Sequence, residues 1–352
     1  MVQADMAETG SGGPGDSGER PPRPEGRFRR LRTVGPFRPW RAEGGLWRRG
    51  IVIAVLAGAV ALLTALHAHV PNRIGNLGSL SETFLPWLPI LAVPPLLLAA
   101  LWRRSATALL ALLLPVVVWL NLFGGLVTDK SGSGGDITVA THNVNAGNPD
   151  PAGTAVDLAE SGADVLALQE LAQGQVATYR AALGKTYKYH AVQGTVGLWS
   201  KYPLKGVAPV DIRMGWTRAM RSTVTTPQGD IAVYVAHMPS VRVKMHAGFT
   251  ANERDKSADA LGDAIALDEV GKVVLLGDLN GTMNDRALRA VTSQMRSTQG
   301  AAGHGFGFSW PASFPMARID QIMVKGLEPV RSWTLPRTGS DHLPIAASIK
   351  LG

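Results

Sequence analysis

Eight polar residues in the second half of the chain have side chains suited to binding a metal ion and moving protons. They are Asn143, Glu170, His237, Asp278, Asn280, Asp320, Asp341 and His342. All but one lie at or just beyond the ends of short apolar runs, where a sheet presents side chains rigidly to a cleft. A single such residue is usually a solvated acid, a turn residue or a core histidine. The prediction of a functional site therefore depends on the whole set.

The metal chemistry open to the chain is limited by its lack of cysteine. Disulfides, thiolate nucleophiles, zinc–thiolate sites and iron–sulfur clusters are excluded. Oxygen and imidazole ligands remain, and they suit magnesium, calcium or manganese.

The elements that must position these residues alternate between strand and helix. Short β-branched or apolar runs predict buried strands, at residues 137–143, 165–168, 231–236, 273–276, 319–324 and 345–349. Helical patterns lie between several of them, at residues 151–161, 172–183, 252–267 and 284–294. About 215 residues of this kind are enough for one sizeable core.

Seven segments in this region resemble, in order, those of the endonuclease/exonuclease/phosphatase superfamily, which includes DNase I-like nucleases, sphingomyelinases and inositol-polyphosphate phosphatases. They are THNVN (141–145), DVLALQE (164–170), GLWSKYPL (197–204), AHMP (236–239), LLGDLN (275–280), RIDQI (318–322) and GSDHLP (339–344). The resemblance implies an α+β fold, a four-layer α/β/β/α sandwich of DNase I type, over residues 136–352. It also implies a metal-dependent hydrolase of phosphoester or phosphoanhydride bonds.

A divalent cation is the cofactor that this resemblance implies. Glu170 is the first candidate ligand for Mg²⁺, which favours one or two carboxylates together with water and substrate phosphate. Asn143 is expected to share the ion through its carbonyl and to contact the phosphate, and Asp341 and Asn145 are further candidates. Many relatives carry Asp where Asn145 stands, so a second tight metal is not predicted. Mn²⁺ is the alternative ion.

Two residues compete for the role of the base that activates water. His342 is preferred, with Asp320 orienting its ring, because a carboxylate-held imidazole keeps one tautomer and titrates near neutral pH. The alternative is Asp278, with Asn280 holding the water or a phosphate oxygen. His237 is expected to donate to a phosphate oxygen or to the leaving group.

The first 128 residues predict a membrane anchor. Residues 1–47 are Arg-rich and poor in aliphatic side chains, which predicts a disordered tail. Apolar stretches at 50–70, 84–101 and 106–127 predict three transmembrane helices within residues 48–128. Arginines before the first stretch and between the second and third place the tail in the cytoplasm and the catalytic domain outside. Residues 129–135 read as a linker, and the protein as a multi-pass protein of the cell membrane.

The substrate is predicted to be a lipid-linked phosphate. Residues 131–352 carry 21 Lys and Arg against 19 Asp and Glu, so a long nucleic-acid groove is not indicated, and the short tether favours lipid phosphates. Segments 240–250 and 300–316 mix apolar side chains with basic or aromatic ones that could meet a lipid. The architecture resembles the VanJ-type teicoplanin-resistance membrane proteins of actinobacteria, which implies a polyprenyl phosphate or pyrophosphate and a part in glycopeptide resistance. The alternatives are an exported Mg²⁺-dependent nuclease and a membrane sensor that binds phosphate without turnover.

Overall fold

The β-branched and apolar runs after residue 136 form two six-stranded mixed sheets that pack face to face. The first sheet has the strand order β13-β14-β1-β2-β4-β3. Its strands are Ile137–Asn143 (β1), Val165–Gln169 (β2), Tyr189–Gln193 (β3), Val196–Ser200 (β4), Glu328–Thr334 (β13) and Ile345–Lys350 (β14). The computed structural model of the chain describes residues 50–73, 75–241, 243–244, 248–249 and 251–352. The predicted tail therefore lies outside the described residues, as does part of segment 240–250.

The second sheet has the order β11-β12-β10-β7-β6-β5. Its strands are Leu204–Pro209 (β5), Ala219–Thr226 (β6), Gly229–His237 (β7), Val273–Asp278 (β10), Arg296–Ser297 (β11) and Asp320–Lys325 (β12). A small separate hairpin joins Val243–Lys244 (β8) and Gly248–Phe249 (β9). All six predicted strands are present, and the pattern missed mainly the edge strands, whose apolar alternation is weak because one face meets water.

The main core lies between the sheets, because each sheet turns its β-branched and aliphatic side chains inward. Val139 and Ile345 of the first sheet and Val235 and Leu276 of the second are fully buried there. Burial of such a side chain contributes roughly 1.5–3 kcal/mol. This aligned packing of two sheets is the centre of the predicted sandwich.

Helices cover the outer face of each sheet and complete the four layers. Pro151–Glu160 (α6) and Val176–Leu183 (α7) pack on the first sheet, and Asn252–Ala266 (α8) and Arg289–Thr292 (α9) on the second. Asp150 caps the first of these by accepting from the Gly153 amide. The predicted helix 284–294 is broken, because Asp285 caps a 3-10 turn over Arg286–Leu288 instead. A short helix, Thr298–Ala302 (α10), packs beside β13.

In the described part of the chain five helices precede the sandwich, four of them apolar, and one continuous stretch is long enough to cross a bilayer. The helices are Ile51–Ala65 (α1), Leu77–Thr83 (α2), Trp87–Trp102 (α3), Ala106–Ala111 (α4) and Leu113–Val127 (α5). The last two form one stretch of 22 residues, Ala106–Val127. Helices α2 and α3 form a pair bent by 82°, and α1 is a shorter apolar helix. One of the three predicted spans is thus a candidate by length, and the three-span arrangement stays a prediction.

The apolar helices are packed onto the sandwich within one compact unit. Trp87 donates from Nε1 to the Met316 carbonyl at 2.8 Å, and Trp119 and Phe306 have ring centroids 6.0 Å apart. The predicted linker also follows the domain surface, because the Gly132 amide donates to the Val330 carbonyl at 2.6 Å.

Candidate active site

The register of three neighbouring strands brings His237, Asp278 and Asp320 together. Strands β7 and β10 are parallel, and Asp278 is paired with His237 where both strands end. Strand β12 runs antiparallel to β10, and its first residue, Asp320, is paired with Asp278. Gly277 permits this close pairing, because a Cβ at its φ of 152° would overlap the Ala236 carbonyl oxygen.

Strand ends of the first sheet supply the opposite side of the site. Strands β1 and β2 are parallel and end together, with Asn143 paired with Gln169. Asn143 reaches across to the second sheet, where its Nδ2 donates to Oδ2 of Asp278 at 3.0 Å. Glu170 follows β2 directly, and its Oε1 lies 3.5 Å from Nε2 of His237. The two sheets therefore meet at the site through their side chains.

Asp278 is a buried carboxyl group surrounded by amide donors. Its Oδ1 accepts from the Asn280 backbone amide at 2.9 Å, and its Oδ2 accepts from Asn280 Nδ2 at 3.2 Å. Burial, together with the nearby charge of Asp320, raises the pKa of Asp278 to about 7. A carboxyl group with that pKa can accept a proton from water near neutral pH.

His342 and Asp320 form a tightly held pair, as the sequence predicts. The ring Nδ1 of His342 lies 2.8 Å from Oδ2 of Asp320, and the Ser309 hydroxyl donates to the same oxygen at 2.6 Å. Burial opposes protonation of His342, yet the charge of Asp320 and its hydrogen bond, helped by Asp278 and Asp341, raise the ring pKa to about 10. Burial would raise the pKa of Asp320, but His342 keeps it below its ordinary value. The pair is therefore an imidazolium beside a carboxylate.

A second histidine, His237, is neutral in this site. Burial lowers its pKa well below the ordinary value, and the charges of Arg218 and His342 reinforce the effect. Its Nε2 lies 3.8 Å from Oδ2 of Asp278. A neutral imidazole here can donate a hydrogen bond to an oxygen without carrying charge.

Three residues of the site have positive φ angles, which non-glycine residues rarely adopt. The values are 60° for Asn145, 59° for Glu170 and 45° for Asn280. Each such conformation costs on the order of 1 kcal/mol. The fold holds these residues in place through backbone hydrogen bonds such as that from the Leu171 amide to the Thr195 carbonyl, 3.0 Å. Strain of this kind concentrates where side chains must be aimed.

The site opens into a cavity of about 560 Å³, here called the catalytic cleft. Its lining includes Asn145, Glu170, Asp278, Asn280, Asp341 and His342. Thr83, the last residue of α2, and Phe84, which follows it, line the same cavity. Six of the predicted or candidate site residues thus face one space, and Asn143, His237 and Asp320 support it from behind through the contacts above.

The donors at the cleft suit a hard divalent cation. Glu170 presents a carboxylate that is one-third exposed, and Asp341 lies beside it in the cleft wall, linked to Asn145 Nδ2 through its Oδ1 at 2.9 Å. Carboxylate and amide oxygens facing a wet cavity fit Mg²⁺ or Mn²⁺, which retain several waters. Of the predicted ligands, Glu170 and Asp341 line the cleft, whereas Asn143 lies behind it with its Oδ1 accepting from the Asn145 amide at 3.0 Å, so the metal set stays a prediction.

A different group of possible ligands lies deeper in the site. One ligand atom each of Asp278, Asp320 and His342 lies within 4.8 Å of the others, and all three residues are buried. The Asp320 oxygen, however, already holds the His342 ring nitrogen. Two members of this deeper group are thus already joined by a hydrogen bond to each other.

Two arginines of the site were missed by the sequence analysis. Arg218, just before β6, has its Nη2 2.5 Å from both ring nitrogens of His237 and lies over the Trp216 ring. Arg254, within α8, is fully buried and donates to the Asn280 carbonyl at 2.9 Å. Neither lies at the end of an apolar run that was recognised, so the pattern gave no signal for them.

Arg318, two residues before Asp320 in the chain, is bonded elsewhere. Its Nη1 donates to the Gly307 carbonyl at 3.0 Å and to Oε1 of Gln299 at 3.3 Å. Oδ2 of Asp320 is instead held by His342 and Ser309, whereas its Oδ1 has no hydrogen-bond partner among the described residues.

Two sheets in this order, with carboxylate, amide and imidazole groups at one edge, define a DNase I-like hydrolase. The profile of the Endonuclease/Exonuclease/phosphatase family matches residues 140–342, and the chain belongs to that family. Its members are divalent-metal-dependent phosphoesterases and nucleases.

Solved structures with the same fold include members of this family and a phosphatase. An endonuclease/exonuclease/phosphatase from Bacteroides vulgatus has a TM-score of 0.52 and 17% identity, covering 61% of this chain and 99% of that chain. A mannosyl-6-phosphatase from Bacteroides thetaiotaomicron has a TM-score of 0.51 and 17% identity, covering 61% of this chain and 99% of that chain. Humanized D. rerio TDP2 has a TM-score of 0.51 and 18% identity, covering 61% of this chain and 98% of that chain. At these identities the likeness is one of fold, and no curated protein matches the chain by sequence.

Proposed function

We propose that this chain is a membrane-anchored phosphoesterase that hydrolyses a lipid-linked phosphate or pyrophosphate, such as a polyprenyl one, at the outer face of the membrane. The observation that carries the proposal is the lining of the catalytic cleft. Thr83, the last residue of α2, and Phe84, in the turn before the apolar helix α3, face the same cavity as Glu170 and Asp278. An active site built partly from a membrane-proximal segment favours a substrate held at the membrane surface.

The apolar helices support a membrane location. Most of the exposed large hydrophobic side chains among the described residues belong to residues 51–127. Exposed apolar surface of this extent marks a membrane or protein interface. Together with the arginines of the tail and of the turn at Arg103 and Arg104, it favours a multi-pass anchor with a cytoplasmic N-terminus. The near-neutral catalytic domain makes nucleic acid an unlikely partner.

In the proposed reaction, Glu170, Asn143 and Asp341 would hold Mg²⁺, or Mn²⁺ in its place. A bound divalent cation offsets the charge on the phosphoryl oxygens and on the leaving oxygen. Asn143 and His237 also orient the phosphate, as donors placed before the reaction begins.

The chain's own proton chemistry favours Asp278 as the base. Its pKa of about 7 allows it to take a proton from water as the water oxygen forms its bond to phosphorus and the bond from phosphorus to the leaving oxygen breaks, the leaving oxygen departing with the alcohol or phosphate it belongs to. Asn280 orients that water or a phosphate oxygen. His342, with a pKa of about 10, serves as a cationic donor to a phosphoryl oxygen, and Asp320 holds its ring. Of the two candidate bases in the sequence analysis, this assignment takes Asp278 in place of His342.

A substrate panel tests the proposal. Solubilised full-length protein with Mg²⁺ is offered polyprenyl pyrophosphate, sphingomyelin-like lipids, inositol phosphates and plasmid DNA. Hydrolysis of the polyprenyl compound, lost in Glu170→Ala and His342→Ala variants that remain folded, is expected. Cleavage of DNA alone would establish the nuclease alternative, and phosphate binding without turnover of any compound would establish the sensor.

The likeness to VanJ-type proteins adds a cellular test. Expression of the chain in a teicoplanin-susceptible actinobacterium is expected to raise the inhibitory concentration of teicoplanin. The Glu170→Ala variant, expressed at the same level, is expected to leave it unchanged. If the unchanged protein and the Glu170→Ala variant gave equal resistance, the resistance would not depend on hydrolysis.

A further inference from the structure

A second cavity, of about 230 Å³, lies between helix α5 and the catalytic domain and is here called the chain pocket. Leu122, Phe123 and Leu126 of α5 line one side, and Phe306 and Phe308 line the other. The two phenylalanine rings of the domain are stacked with centroids 5.0 Å apart. The walls are therefore apolar and reach the helix that is long enough to cross a bilayer.

The chain pocket adjoins the catalytic cleft. Thr83 lines both cavities, Phe84 lines the cleft, and Pro86 lines the pocket. The end of α2 and the turn that follows it are thus the wall that separates the two cavities. A molecule with its phosphate in the cleft has to pass only this turn for its tail to enter the pocket.

The end of α2, which leads into this turn, is held firmly against the domain. Glu82, fully buried, forms an ion pair with Arg286 at 2.9 Å, and Thr282 donates to the Glu82 carbonyl at 3.2 Å. Arg286 also donates to the Val70 carbonyl at 2.6 Å. The wall therefore belongs to the folded site and has a fixed position relative to both cavities.

One end of the chain pocket is polar. Arg318 is 6% exposed, and among the described residues its Nε and Nη2 have no hydrogen-bond partner. Gln321, also lining the pocket, has an Oε1 without a partner in the same part of the chain. Buried polar groups are costly when unpaired. A pure hydrocarbon would leave them so, whereas an amphiphile with oxygens beside its chain would satisfy them.

We propose that the chain pocket binds the first part of the hydrocarbon chain of the substrate lipid, with the oxygens next to that chain facing Arg318. This inference rests on the proposed function, since it supposes a lipid phosphate in the cleft. At roughly 30 Å³ for each methylene-sized group, about that of a water molecule, the pocket holds seven or eight such groups. The chain then continues along α5 into the membrane.

The test uses full-length protein in phosphatidylcholine nanodiscs and n-alkyl pyrophosphates of two to twelve carbons. For the unchanged protein, kcat/KM is expected to rise about three- to fourfold per methylene, from the burial of apolar surface. The rise is expected to stop near eight carbons. Leu126 and Met283 both line the chain pocket. Leu126→Trp and Met283→Trp, which fill it, are expected to flatten the rise of kcat/KM with chain length and to leave kcat/KM for the two-carbon compound unchanged.

Leu120→Trp is the matched control, because Leu120 lies on the same helix with 53% of its surface exposed. It is expected to keep the full dependence on chain length. If both filled variants keep the full dependence of kcat/KM on chain length, the inference is overturned and the proposed function still stands. The same holds if they lose as much activity on the two-carbon compound as on the longer ones. If no alkyl or polyprenyl compound is hydrolysed at all, the proposed function itself fails and the inference falls with it.

Discussion

The Glu82 carboxylate lies 2.9 Å from Nε of Arg286, and this ion pair joins the end of helix α2 to the catalytic domain. The two residues are separated by 204 positions in the chain. Glu82 is fully buried, so its charge depends on Arg286 for compensation. The contact fixes the turn that carries Thr83 and Phe84 into the catalytic cleft.

Removal of one partner of this pair is expected to destabilise the protein. Arg286→Ala leaves a buried carboxylate uncompensated, which should lower the free energy of unfolding by about 3 kcal/mol. Urea titration of the solubilised protein, followed by tryptophan fluorescence, measures the change. Adding Glu82→Gln should recover part of the loss. Arg289→Ala, an exposed arginine nearby, should cost less than about 0.5 kcal/mol, and equal effects of the two arginine variants would contradict the prediction.

Metal affinity is expected to depend on Glu170. Glu170→Gln removes the carboxylate that faces the cleft, so the affinity for Mn²⁺ or Mg²⁺ should fall at least tenfold. Calorimetric titration of the metal-free protein measures this without reference to activity. Glu160→Gln, an exposed glutamate at the end of α6, is the control. Unchanged affinity in Glu170→Gln would move the cation to the deeper group at Asp278, Asp320 and His342.

The His342–Asp320 pair is expected to act as one unit. Asp320→Asn and His342→Ala should each lower kcat by about 10² to 10⁴, with smaller changes in KM. The double variant should be hardly slower than the worse single one, because residues that act together are not additive. Steady-state kinetics on the substrate identified by the panel test this. If the fold-loss in kcat of the double variant equals the product of the two single losses, the residues act independently.

Stability is expected to fall in mild acid because of His142. This side chain is fully buried, with Nε2 2.8 Å from the Thr338 hydroxyl, and burial lowers its pKa from 6.5 to about 3. The unfolded chain therefore binds a proton between those values and the folded protein does not. The neutral form contributes full stability above pH 6.5, and about 1.4 kcal/mol is lost per pH unit below it. Unfolding free energies at pH 7.5 and 5.5 measure this slope.

A smaller slope is expected for His142→Asn, even if that variant is less stable at pH 7.5. His304→Asn, which changes an exposed histidine, should retain the slope of the unchanged protein. Parallel slopes in all three proteins would show that another group causes the acid sensitivity.

The proposed orientation can be tested with single cysteines, because the chain has none of its own. Ser133→Cys, before the first strand, should react with a membrane-impermeant maleimide on intact cells. Arg103→Cys, in the turn before Ala106–Val127, should react only after the cells are permeabilised. Labelling of both positions in intact cells, or of neither, would contradict the three-span topology.

The sequence alone identified the strands that carry the site and the residue types at their ends. Asp278 and His237 were recognisable because each ends a buried apolar run, and parallel neighbours end at the same edge. The family segments added the order of these strands. Local pattern suffices here because strand periodicity and turn residues depend on near neighbours in the chain.

Only the tertiary structure decided how these residues divide their roles. The pKa values of Asp278 and His342 depend on burial and on charges that lie far away in the chain. The place of Arg218 against His237, and of Glu82 against Arg286, follows from packing between elements that have no common local signal. Electrostatic and packing interactions depend on distances in space, and hydropathy along a sequence does not contain those distances.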